Sequence, residues 1–338
     1  MMTMTEARDL KKVDPIPAPA RKVGPYRLDR EIGRGATGVL YEALHVEQGR
    51  KVAIKILDPK IIGLQKASRQ DYLFAREAMN LAEIPRHPGI VGILDAGLAD
   101  GLPYIVTEHI EGQPLSLSLQ FRKQDLKSLV RILRDVTLAM SHSHEHQILH
   151  RNLKPSNVII DAAGRPHVTD FGAAKRVDPN QHQSTTYTLG GSLGTPAYMS
   201  PERAAGLKNI DLRTDVYSLG AILYEMITGR PPFSPTGSVA DLLAVVRGEI
   251  EAPSKVEPCG GATGGDVALQ MICMKALSKL PADRQSTARE FADALTWWLG
   301  EDRVEKEPAL PSRTTIGGFC LAAGLAAAAA LAYFMIRG

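Results

Sequence analysis

The stretch His150-Arg151-Asn152-Leu153-Lys154-Pro155-Ser156-Asn157 decides how the rest of this 338-residue chain is read. It lies between a helical run, in which Leu126, Leu129, Val130, Leu133, Val136 and Met140 fall at helical spacing, and a strand-like run, Val158-Ile159-Ile160. Its amides and cations therefore sit on a loop held from both sides. Asn152 carries an amide that holds a hydroxyl by hydrogen bonds, although the amide oxygen is a very weak base. Thirteen residues after Asn157 comes Asp170-Phe171-Gly172, delivered by a hairpin expected around Ala163-Gly164. Far upstream, a strand expected over 26–32 enters Gly33-Arg34-Gly35-Ala36-Thr37-Gly38-Val39, and a second strand follows over 39–44. Glycines at such a turn let backbone N–H groups approach phosphate oxygens with no Cβ in the way. Val52-Ala53-Ile54-Lys55 then forms an apolar strand ending in a lysine, seventeen residues after Gly38.

Taken in this order, the motifs resemble those of the bacterial Hanks-type (eukaryotic-like) serine/threonine protein kinases, with asparagine at 152 where that family carries aspartate. The resemblance covers 26–299 and implies an α+β, bilobal protein kinase fold: a β-rich N-lobe over 26–108, a hinge over 108–112 and a helical C-lobe over 113–299. It implies ATP and Mg²⁺ as ligands and carries roles onto matching positions. Ile32, Gly33, Gly35, Gly38, Val39 and Ala53 would enclose the nucleotide, and Lys55 would pair the α- and β-phosphates. Glu77, with Glu83 as its competitor, would hold Lys55 from a helix expected over 68–82. Glu108 and Ile110 would offer main-chain groups to the adenine edge, beside a small Thr107. Asn157 and Asp170 would hold Mg²⁺, a hard cation that prefers oxygen ligands. Lys154 would neutralise charge on the transferring phosphoryl group, and Asn152 would stand where the family accepts the substrate's hydroxyl proton.

Further positions follow from the same resemblance. A hydroxyl-rich segment containing Ser184, Thr185, Thr186, Tyr187, Thr188 and Ser192 matches the activation segment, closed by Gly194-Thr195-Pro196-Ala197-Tyr198-Met199-Ser200-Pro201-Glu202. Glu202 should pair with Arg284. Asp215, after Thr214 as helix cap, should brace the catalytic loop backbone. His142, His144 and His146 recur at two-residue steps, which scatters them around a helix and predicts solvated histidines rather than a metal site. Strands are expected over 90–96 and 104–108, joined at Ala99-Asp100-Gly101.

Two functional readings come from different classes. One is an enzyme, a serine/threonine kinase whose transfer to Ser or Thr hydroxyls is impaired by Asn152. The alternative is a catalytically inactive pseudokinase acting as an ATP-dependent scaffold or allosteric partner in signalling.

Composition bounds these readings. The apolar fraction of 44% suits a globular core, and a net charge of +3 makes no global electrostatic case for nucleic acid as a partner. Cys259, Cys273 and Cys320 lie far apart, without ligand spacing, as suits a reducing cytosol. Residues 1–25, with Pro15, Pro17, Pro19 and Pro25, read as a flexible tail, and 300–315 as a juxtamembrane linker. From Ile316 to Ile336 there are 21 residues without a charge, which as a helix would span about 31 Å, the thickness of a bilayer core. Arg303, Lys306 and Arg313 precede it and favour a cytoplasmic body on the inner membrane. The small residues Ala322 and Ala326 suit a homodimer through that single-pass helix.

Overall fold

The computed structural model describes residues 22–35, 38–57, 85–121, 124–171, 175–176, 196–234, 238, 240–256 and 266–301. The expected helix over 68–82 with Glu77 and Glu83, the activation-segment hydroxyls, and the segment 316–336 lie outside them. Among the described residues no helix is long and apolar enough to cross a membrane.

The N-lobe is a six-stranded antiparallel sheet built from β1 (Lys22–Val23), β2 (Tyr26–Gly35), β3 (Gly38–His45), β4 (Arg50–Leu57), β5 (Ile93–Ala99) and β6 (Leu102–Glu108), in the order β1-β2-β3-β4-β6-β5. Short polar turns make these hairpins. Asp100 and Gly101 take left-handed backbone between β5 and β6, where only small or Asx residues sit without steric cost. Because side chains alternate across a strand, Val52, Ile54 and Ile56 of β4 fall on one face, buried with Val23, Tyr26, Ala43, Tyr104 and Val106. Ala53 and Lys55 fall on the other face.

Of the boundaries that differ from the sequence expectation, two bear on how the lobes are built. The sheet begins at Lys22, before Tyr26, because Val23 pairs with Tyr26 and buries itself in the lobe's core. The strand expected over 90–96 starts later, at Ile93. Ile90 instead makes a parallel bridge to Val168, with Val91 N–H donating to the Val168 carbonyl (2.9 Å) and Val168 N–H to that of Gly89 (2.8 Å). Its apolar run is split between two lobes.

The hinge leads into β7 (Gly112–Pro114), α1 (Leu115–Phe121) and α2 (Leu126–Glu145). Asp125 caps α2 by accepting from the Ser128 N–H (3.0 Å), and the helix buries Leu129, Val130, Leu133, Val136 and Met140. Next come β8 (Ile148–Leu149), the stretch 150–157 with a 3₁₀ turn at Pro155–Asn157, and the hairpin of β9 (Val158–Asp161) and β10 (Pro166–Val168). β11 (Lys175–Arg176) pairs with β8. The chain then continues through α3 (Pro201–Ala204) to α4 (Arg213–Thr228), whose residues are nearly all buried. α4 is therefore the central helix of the C-lobe, with α5 (Ala240–Arg247), α6 (Val267–Ala276) and α7 (Ala288–Leu299) following. The chain divides into compact units of Met1–Leu295 and Thr296–Gly338. In the second, the described residues end α7 at Gly300, whose left-handed backbone stops the helix.

Candidate functional site

The first turn of α4 places Asp215, fully buried, beneath the catalytic loop. Its Oδ2 accepts the His150 backbone N–H (2.8 Å) and its Oδ1 that of Arg151 (2.9 Å), while His144 Nε2 lies 3.0 Å from Oδ2. Burial alone would raise the Asp215 carboxyl, but His144, His150 and the backbone donors hold it below the usual carboxylate range. Arg151 takes left-handed backbone (φ 64°), a conformation unfavourable for an arginine, and the bond to Asp215 holds it there. The bracing role expected of Asp215 is thus seen, and through hydrogen bonds to main chain.

His150 is buried, which pushes its pKa down and keeps the ring neutral. Its Nδ1 accepts the Asn152 N–H (3.2 Å), so Nε2 carries the proton and donates to the Thr169 carbonyl (2.9 Å). The ring also packs on Phe171, with centroids 4.6 Å apart. One imidazole thereby ties the catalytic stretch to the Asp170 stretch.

Three side chains meet at the front of this framework. Asp170, itself with left-handed backbone, places Oδ1 2.6 Å from Lys55 Nζ. Its Oδ2 accepts a hydrogen bond from Asn152 Nδ2 at 3.4 Å. Asn157 is buried and donates from Nδ2 to the Asn152 carbonyl (2.7 Å), which commits its NH₂ end and leaves Oδ1 as its accepting end. Burial pushes the Lys154 ammonium pKa down, opposed by Asp170 and reinforced by Lys55. The oxygen donors of Asp170 and Asn157 match what Mg²⁺ takes.

The glycine turn can be tested atom by atom. A Cβ built on Gly38 would lie 2.1 Å from the Ile56 carbonyl oxygen, so the sheet itself requires glycine there. Among the described residues, no heavy atom lies within 4 Å of a Cβ built on Gly35, and one on Gly33 meets only Leu40 Cβ at 3.9 Å. Among the described residues packing does not demand glycine at 33 or 35, and the space over both is open to a ligand.

The register corrects one expected contact. Residues directly opposed in an antiparallel pair share a face. Leu40 opposes Lys55 and Gly33, whereas Val39 opposes Ile56 on the core face. Leu40, not Val39, is the apolar side chain above the cleft. Counting in steps of two from Lys55 across the hairpin would have found it. Ala53 opposes Thr107 on the cleft face, and Ile32 is exposed in a bulge of β2. Glu108 N–H is taken by the Gly92 carbonyl (3.0 Å). Among the described residues no backbone hydrogen bond engages Ile110, the main-chain group expected to face adenine. A cavity of about 360 Å³ opens beside the hinge between Val91, Ile93, Glu108, Ile110, His167 and Phe171, apart from Lys55 and Asp170.

Deeper in the C-lobe, Arg284 forks onto Glu202 with bonds of 2.9 and 2.7 Å, the pairing expected from sequence. Thr214 is not the helix cap. Leu212 occupies that position, and the Thr214 hydroxyl donates to Glu202 (2.8 Å) while meeting Ser200. Of the three histidines at the end of α2, His144 is buried rather than solvated, while His142 and His146 remain partly exposed. His144 is buried on Asp215, His142 Nε2 lies 2.9 Å from the Pro85 carbonyl and stacks on His87, and His146 Nδ1 meets the His142 carbonyl. Two-residue spacing does scatter them, but into three different contacts.

Comparison with known proteins places these features. The protein kinase domain profile matches residues 26–297. The chain is similar to a probable serine/threonine-protein kinase PknB of Bifidobacterium longum, 36% identical over 290 residues, 82% of this chain and 40% of that protein. It is 34% identical to serine/threonine-protein kinase Pkn1 of Myxococcus xanthus, over 83% of this chain and 39% of that one. It is 35% identical to serine/threonine-protein kinase PknB of Mycobacterium tuberculosis, over 82% of this chain and 43% of that one. The aligned region thus spans about two fifths of these relatives' length. In fold, the crystal structure of the Mycobacterium tuberculosis PknI kinase domain is similar at a TM-score of 0.62 and 23% identity, covering 82% of this chain and 96% of that one.

Proposed function

The chain belongs to the protein kinase domain family, on its bacterial serine/threonine branch, and from that premise we propose that it binds MgATP at a membrane surface with phosphoryl transfer held low by Asn152. The observation that carries the reading is the contact of Asn152 Nδ2 with Asp170 Oδ2. The amide is engaged as a donor to Asp170, the carboxylate that this reading gives to Mg²⁺, where a catalytic carboxylate would face the incoming hydroxyl.

Support for nucleotide binding comes from the space over Gly33 and Gly35, Lys55 and Lys154 near the expected phosphates, and the Ile110 peptide at the hinge. Asp170 and the Asn157 Oδ1 would hold Mg²⁺, which when bound neutralises phosphate charge. In transfer, a Ser or Thr oxygen forms the new bond to the γ-phosphorus as the bond to the ADP oxygen breaks. The hydroxyl proton then passes to solvent water or to an oxygen of the transferred phosphoryl group, because Asn152 orients that hydroxyl without taking the proton. General-base catalysis contributes roughly 10²–10⁴ in rate, about 2.7–5.4 kcal/mol. Because transfer passes through a loose transition state, positioning retains much of the remainder. The same amide favours the second reading, an ATP-loaded pseudokinase that acts by holding a partner.

The test compares radiolabelled phosphate transfer and ATP binding by the full chain and its Asn152→Asp and Lys55→Met variants. Asn152→Asp should raise turnover roughly tenfold or more, and Lys55→Met should abolish it. ATP bound equally by both native and Asn152→Asp chains, with no gain in turnover, overturns the role given to Asn152. The anchoring rests on the uncharged run 316–336 behind Arg303, Lys306 and Arg313. Release of the full chain from membranes by alkaline carbonate would overturn it.

A further inference from the structure

Both carboxylate oxygens of Asp170 already have a donor from the chain, Lys55 Nζ at 2.6 Å and Asn152 Nδ2 at 3.4 Å. An aspartate at 152 could not make the second contact. It would set one carboxylate against another, a repulsion that a bound cation or a shared proton would relieve. We propose that Asn152 is a positioning residue that takes over part of the divalent cation's task, so that this cleft holds ATP with little dependence on Mg²⁺. The inference rests on the nucleotide-binding reading above.

Charge carries the argument further. An aspartate at 152 would add one negative charge beside Asp170, at the end of the cleft where Lys55 and Lys154 stand. Burial disfavours the Lys154 ammonium, Asp170 favours it and Lys55 disfavours it, so all three groups lie within reach of one another's charge. One unit charge about 6 Å away, at an effective dielectric of about 20, changes an equilibrium roughly a hundredfold. The open positions over Gly33 and Gly35 allow backbone N–H groups to share that load.

The experiment is titration calorimetry of ATP into the full chain and into Asn152→Asp, each in excess magnesium chloride and in EDTA. A purely structural role for Asn152 would shift both affinities of a protein together; the ratio of the two isolates the metal. The native chain should lose less than about tenfold on removing Mg²⁺, and Asn152→Asp roughly a hundredfold more than that. A native loss of about a hundredfold or more overturns the proposal without needing the variant, and equal ratios in the two proteins do the same. Those outcomes leave MgATP binding intact. Absence of ATP binding under both conditions would instead overturn the nucleotide-binding reading together with this one.

Discussion

Asp215 and Glu202, behind the catalytic loop, carry their charges inside the C-lobe with bonds to every carboxylate oxygen. Asp170, in front of it, has two donors, one of them a long amide contact. Asp215 is 0% exposed and is met by two backbone N–H groups and His144. Glu202 takes both arms of Arg284 and the Thr214 hydroxyl, while Arg284 also donates to the carbonyls of Ser278, Arg213 and Lys279. The side chains of Lys55 and Asp170 are 21% and 25% exposed, and their partners come from different lobes. A charge sealed from water must have its partners built in, because an unmatched buried ion is costly. A charge kept at the edge of a cleft can exchange a chain partner for a ligand. The first network defines the shape of the loop; the second is what a nucleotide would rearrange.

Removing a partner from the sealed network should have the largest effect. Arg284→Met leaves Glu202 buried and unpaired and should cost about 3–5 kcal/mol of stability in urea unfolding. A loss below about 1 kcal/mol would show that the pair is solvated after all. Asp215→Asn replaces an acceptor facing three donors by a group with only one accepting end, and should cost about 1.5–3 kcal/mol in the same measurement.

Titration probes the same contrast. The folded pKa of His150 lies below its unfolded value of about 6.5, so in the interval between them the unfolded chain binds a proton that the folded one does not. His87, lowered by burial and by His142, adds in the same sense. Their contribution is therefore complete above about pH 6.5 and is lost as pH falls towards the folded values. Asp215, with its folded pKa depressed, adds a second loss below about pH 4. A melting temperature that stayed level or rose between about pH 7 and pH 5 would contradict the neutral, buried His150.

The smallest effect on stability is expected at the cleft. Lys55→Met breaks an ion pair close to solvent and should cost about 1 kcal/mol or less, while ATP affinity is lost. A cost as large as that of Arg284→Met would erase the distinction between the two networks.

Much of this is legible in the sequence. The catalytic stretch, Asp170-Phe171-Gly172, the glycine turn and Lys55 are each compact in sequence, and their order along the chain is itself a signal. The partnerships of Glu202 with Arg284 and of Asp215 with the loop backbone follow from the resemblance those motifs carry. The positions that sequence misplaces share a common origin. Val39 adjoins the glycine turn and so reads as a cleft residue, but the pairing of β3 with β4 turns it to the core and brings Leu40 over Lys55. Thr214 has the composition of a cap, yet a distant Glu202 captures its hydroxyl. His144 reads as solvated from its spacing to His142 and His146, while its partner, Asp215, lies 71 residues on and is brought to it by the packing of α4 against α2.

The sequence by itself determined the family, the chain order of the candidate nucleotide and metal groups, and the presence of an amide at 152 where the resemblance expects a carboxylate, since residue identity alone sets how strongly a side chain takes a proton. Only the tertiary structure decided what that amide does in the chain. Asn152 and Asp170 are eighteen residues apart, and their contact exists because His150 ties the two loops together while Asp215 holds the first of them in a strained backbone. Hydrogen bonds depend on distance and direction to within fractions of an ångström, and such geometry is a product of the whole packed lobe rather than of any local run of residues.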